Sequence, residues 1–124
     1  MTIPANFKFF EPWAEIIDTA AAVNRARNLA EELKREVGAG HVLYGLRAHA
    51  IAARIDQDDV LFALEGEDKP LAVVHLTWSD KTSPPYPRTK LFETWDHWVR
   101  ESMRPDHEDY IFPEKPNYET GRTD

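Results

Sequence analysis

The sequence predicts an α+β domain: a long N-terminal helix, a three-stranded antiparallel meander, a second amphipathic helix and an irregular acidic C-terminal tail. Three observations carry this reading. Apolar residues recur every three or four positions between residues 12 and 37, the period shortens to two from residue 46, and a helical stripe returns after residue 90. With 124 residues, 42% of them hydrophobic, the chain suits one core, so a single domain is expected over residues 1–104 and a proline-containing tail over residues 105–124.

Pro12 suits a first helical turn, and Ile16, Ala20, Val23, Ala26, Ala30, Leu33 and Val37 then form one buried stripe, which predicts a helix over 12–37. Lys34 and Arg35 complement the negative end of its dipole, and GAG at 38–40 offers a left-handed stop. Asp18 offers an alternative, as the cap of a shorter helix starting near Thr19. Strands are expected at LRAHAIAARI (46–55), DVLFALE (59–65) and LAVVHLTW (71–78), joined by the short polar links DQ and GEDK. After the proline-rich SPPYPRT, the segment KLFETWDHWVRESM aligns Leu91, Trp95, Trp98 and Ser102 beside Phe92, Val99 and Met103 as the second helix. The tail carries six acids against two bases, with Tyr110, Ile111 and Phe112 available for docking on the body.

Composition narrows the function classes. The chain has no cysteine, which removes thiol nucleophiles, cysteine-held metals and disulfides, and points to the cytoplasm. A net charge of −7 offers no basic surface for phosphate backbones, so nucleic acid is not an expected partner. MTIPANFKFFEPW lacks the pattern of a secretory leader, and no long apolar run suggests a membrane span. No cofactor or metal is expected: GAGH follows a helix and lacks the lysine and hydroxyl of a phosphate loop. His49 and His75 would stand about 13 Å apart at ~3.3 Å per strand residue. Glu93, His97 and Glu101 share a helix face but read as solvated ion pairing. PPYP followed by Arg88 matches a minimal proline-rich ligand and reads as an ordinary connection.

If Asp56–Gln57 and residues 66–69 are tight turns, Val60 pairs with Ala53 and His75, Phe62 sits between Ile51 and Val73, and Leu64 sits between His49 and Leu71. Asp58 then stands opposite Thr77, one diagonal step from His75. This makes His75, Asp58 and Thr77 the candidate catalytic residues, with Asp58 orienting His75 as general base and Thr77 or a water as the group activated. The competing structural reading is a buried neutral histidine bonded to Asp58 or to a backbone carbonyl. A slip of one residue in the hairpin separates the three.

GHVLYG, DDVLF and AVVHLTW, in this order and spacing, resemble a family of small uncharacterised bacterial proteins, over roughly residues 31–103. The resemblance implies a bacterial, cytosolic, single-domain protein and no activity. The expected function is therefore an interaction protein, of the toxin-neutralising or accessory-subunit type, whose acidic surface and tail favour a basic protein partner. Strand 71–78 is apolar on both faces and each face needs cover, so a homodimer is expected. The alternative is a small metal-independent enzyme, a hydrolase or isomerase, with His75 as base beside Asp58.

Overall fold

A computed structural model describes residues 3–17, 19–79 and 83–113. Its centre is a five-stranded antiparallel sheet in sequential order: β1 (Trp13–Glu15), β2 (Ala48–Arg54), β3 (Asp59–Leu64), β4 (Leu71–His75) and β5 (Thr89–Phe92). Helix α1 (Ala20–Glu36) covers one face. A continuous helical segment covers the other, made of α2 (Trp95–Trp98), a π-type stretch (Val99–Met103) and α3 (Arg104–Ile111). The chain is α+β, as expected, but three features of the expected fold need correction.

The sheet has five strands, not three, because β1 and β5 escape detection by pattern. At three and four residues they are too short for a period of two to be told from one of 3.6. The N-terminal helix is also shorter than expected, 17 residues from Ala20. Thr19 caps it, its hydroxyl accepting from Ala22 N at 3.1 Å, while Asp18 lies outside the described residues. Tertiary pairing overrides the helical signal of residues 12–16: Trp13, Ala14 and Glu15 ladder against Arg54, Ala53 and Ala52. Finally, the tail is not irregular from residue 105. Arg104–Ile111 is helical, so the chain runs through the expected boundary at 104 without a break, and residues 114–124 lie outside the described residues. Pro105 lacks the N–H that continues an α-ladder, and just ahead of it the pattern widens, with Arg104 N donating to Val99 O.

Ridge residues Leu29, Leu33 and Val37 pack on Ala53, Val60, Phe62, Leu64, Ala72, Val74 and Leu76 on one side of the sheet. On the other, Trp13, Ala52, Leu61, Leu71 and Phe92 meet Trp98 and Met103. Edge-to-face rings tie this layer together, with Phe7 4.9 Å from Trp95 and Trp13 5.3 Å from Trp98. Both faces of the apolar strand β4 are thus covered within one chain, and the reason given for a second copy is met by the chain's own helices.

Two local slips redistribute the residues between faces. Val60 pairs with Ala53 as expected, but a bulge between Ala50 and Ala52 shifts the rest of β2, so that Phe62 faces Ala50. Between β3 and β4 the register differs by one residue: His75 pairs with Asp59, and Val60 with Val74. Each slip inverts the side on which the later residues fall.

Candidate functional site

The register change separates the expected cluster. His75 lies on the face covered by α2 and α3, with its side chain half exposed (52%), and its Nδ1 is 2.5 Å from Asp59 Oδ1. A carboxylate only accepts, so Nδ1 carries the proton of this bond. The histidine is neither buried nor paired with Asp58. Asp58 instead lines a pocket on the α1 side, and its backbone carbonyl accepts from Leu76 N. Thr77 faces α1, bonded to Glu36.

Around His75 the end of the sheet forms a polar row across β1 to β4: Trp13, Arg54, Asp59, His75. Arg54 is gripped by Asp56 through two 2.9 Å hydrogen bonds and meets Asp106 at 3.3 Å. Burial would lower the Arg54 pKa, but these carboxylates outweigh it and hold the guanidinium charge more firmly than usual. The hydrogen bond from Arg54 chiefly holds Asp56 below the ordinary carboxylate range. Asp106, on α3, accepts from Trp13 Nε1 at 2.9 Å, and burial pushes its carboxyl above the ordinary range despite that bond and the nearby guanidinium. The row joins α3 to the sheet end; it is foremost a clasp.

The opposite side of the same sheet end holds the more unusual geometry. Glu32 and Glu36, on the inward face of α1, are 1% and 0% exposed. The Glu36 carboxylate accepts from Thr77 N (2.9 Å), Thr77 Oγ1 (2.9 Å) and Trp78 N (2.8 Å). Glu32, one turn earlier on the same helix face, pairs with Arg35. Burial pushes Glu36 up, but this ring of donors prevails and holds it below the usual range. Sequence reading passed over both acids, although Leu29, Glu32, Leu33 and Glu36 follow the spacing of one helix face, a signal that these acids point inward.

What Glu36 holds in place is Trp78. This residue has φ of +56°, the left-handed region that bulky side chains avoid, and its indole is 54% exposed. It stands at the mouth of a pocket of about 260 Å³ with an apolar floor of Leu29, Val60 and Leu76 and a rim of Arg25, Asn28 and Asp58. A second pocket of about 230 Å³ lies between Leu43, Leu46, Leu64 and Leu91. His75 lines neither.

Among the described residues no group of three or more histidines and acids is gathered as a metal ion requires, and no helix is long and apolar enough to cross a membrane. His97 Nε2 lies 3.4 Å from Glu101 Oε1, with Lys90 Nζ 3.6 Å from the same carboxylate. No protein-family model, curated protein or solved structure matches the chain.

Proposed function

We propose that the protein is a binding module whose Trp78 pocket takes a basic side chain from a partner protein. The observation that carries this reading is Trp78 itself. A large apolar ring, half exposed on strained backbone, adds nothing to the core, and glycine or asparagine would suit that backbone better. Such strain persists where a surface is arranged for contact. The pocket's chemistry suits a lysine or arginine. Its apolar floor accommodates the aliphatic stem and the indole attracts the cation, while Asp58 and Asp59 among the lining residues offset Arg25 and Arg54, within a chain of net charge −7. A protein that neutralises a basic toxin, or an accessory subunit that docks on a basic face, would use such a site. A bacterial and cytoplasmic setting, which the motif resemblance implies, belongs to the same proposal.

Titration with lysine- and arginine-bearing peptides, followed by calorimetry and tryptophan emission, tests it. Basic peptides are expected to bind in a salt-sensitive manner while a glutamate-bearing control does not. Trp78→Gly should weaken binding about tenfold or more while stability changes by no more than about 1 kcal/mol, since relief of the left-handed strain offsets the entropy of glycine. Equal binding by Trp78→Gly, or none by any basic peptide, would remove the proposal.

The enzyme reading has one observation in its favour, the Asp59–His75 hydrogen bond, which orients a ring with Nε2 available. It stands second because neither pocket is lined by that ring. His75→Gln serves as the control: it should leave peptide binding unchanged.

A further inference from the structure

The pocket beside Trp78 has two walls of opposite charge. On the α1 wall, positions 25, 28 and 29 share one helix face, so Arg25 and Asn28 turn toward the pocket together with Leu29 of its floor. On the other wall, the turn between β2 and β3 contributes Gln57 and Asp58. The Asp58 carbonyl accepts from Leu76 N at 3.1 Å, which fixes that residue beside the end of β4, two positions before Trp78. The anionic side of the pocket and its indole therefore lie together, with the cationic side on the helix. Other charged residues around the pocket are engaged elsewhere: Arg54 by Asp56 and Asp106, and Asp59 by His75. On α1, Arg27 bonds to Asn24 and Arg35 to Glu32. Arg25 and Asp58 differ. Among the described residues neither side chain has a hydrogen-bond or ion-pair partner, and neither reaches the other across the pocket. Opposite charges that line one pocket without pairing suit a ligand that carries both.

We infer that the pocket receives the C-terminal residue of a basic partner chain, a lysine or arginine whose side-chain cation lies against Trp78 and Asp58 and whose α-carboxylate lies on Arg25 and Asn28. The basic side chain rests on the binding function proposed above; the α-carboxylate contact rests on Arg25. A guanidinium holds a carboxylate through two parallel N–H donors, and the Asn28 amide stands one helical turn away as a further donor. An internal residue presents only a neutral peptide carbonyl there and forgoes the charge. Size points the same way. A volume of about 260 Å³ lies below the roughly 300–1,000 Å³ of sites for drug-sized ligands, which leaves room for one residue and not for a length of peptide. A chain end also brings a single flank to the mouth, whereas an internal residue must carry two past the Trp78 ring.

The test is calorimetry on the full chain with a short N-acetylated peptide ending in lysine, supplied as the free acid and as the C-terminal amide. The acid is expected to bind at least about tenfold more tightly than the amide at low salt. That comparison needs no substitution. Arg25→Gln, at an exposed position where exchange of the side chain leaves the fold intact, should abolish the preference. Equal affinity of acid and amide in the wild type, with both weakened by Trp78→Gly, would overturn the terminal contact and leave the basic-side-chain site in place. A preference for the acid that survives Arg25→Gln also counts against it. A leucine-ending acid that matches the lysine-ending one, and loses its affinity in Arg25→Gln, does the reverse: the carboxylate contact stands and the basic specificity proposed above falls. Free lysine that binds more tightly than the peptide acid would replace the partner's terminus with a single amino acid as the ligand and so end the inference.

Discussion

Replacing Trp13 with Ala is expected to destabilise the fold by about 3–5 kcal/mol, the range for emptying a buried indole site. The residue is 1% exposed, packs edge-on against Trp98 at 5.3 Å, and is the anchor of a strand only three residues long. Its Nε1–H is also a donor to Asp106, so truncation takes a hydrogen bond from the clasp between α3 and the sheet end. Thermal unfolding should shift downward by on the order of 10–20 °C for a domain of this size. Trp13→Phe keeps most of the ring and removes the N–H, and should lose only about 1–2 kcal/mol. A loss below about 1 kcal/mol for Trp13→Ala would show that β1 is not docked as described.

Glu36→Ala is the second large effect, at about 3 kcal/mol or more, because it leaves the N–H groups of Thr77 and Trp78 and the Thr77 hydroxyl without their acceptor. The same residue shapes the acid limb of stability. Its folded pKa lies below the ordinary 4.5, so its contribution is fully present above about that pH and is lost as pH falls through the folded value. Asp56, also lowered, acts with the same sign. Asp106 acts oppositely: its folded pKa is raised from 3.8, so its contribution is present below that value and is lost as pH rises toward the folded one. Denaturant melts across the acid range should therefore show a steep loss below about pH 4.5 in the wild type and a shallower one in Glu36→Ala. An unchanged slope would mean that Glu36 is not the group titrating.

Much of this architecture is legible from spacing alone. The three long strands, the inward face of α1 at Leu33 and Val37, and the helical stripe of Trp95, Trp98, Val99 and Met103 all carry enough residues to display their period. What is not legible is set by contacts across the sheet. Nothing local to residues 13–15 announces that β2 has an edge to offer them, and Pro12 reads equally as a helix start. The bulge near Ile51 and the one-residue offset between β3 and β4 depend on how the layers pack, and that offset is what gives His75 to Asp59 and turns Asp58 toward the pocket. The left-handed Trp78 could not be anticipated either, since tryptophan is among the last residues expected there; it exists because an acid on a distant helix turn holds its amide.

The sequential order of the strands has a bearing on how the molecule assembles. β2 to β4 meet their neighbours through two short connections, so they can close early and quickly, whereas β1 must wait for the whole of α1 to be laid down before it finds β2. In that interval the outer margin of β2 presents unpaired backbone beside Leu61, Phe92 and Trp98, with Trp13 not yet over them. The period of greatest exposure to aggregation is then neither the unfolded chain nor the finished domain but the gap between closing the meander and the arrival of its last, shortest strand.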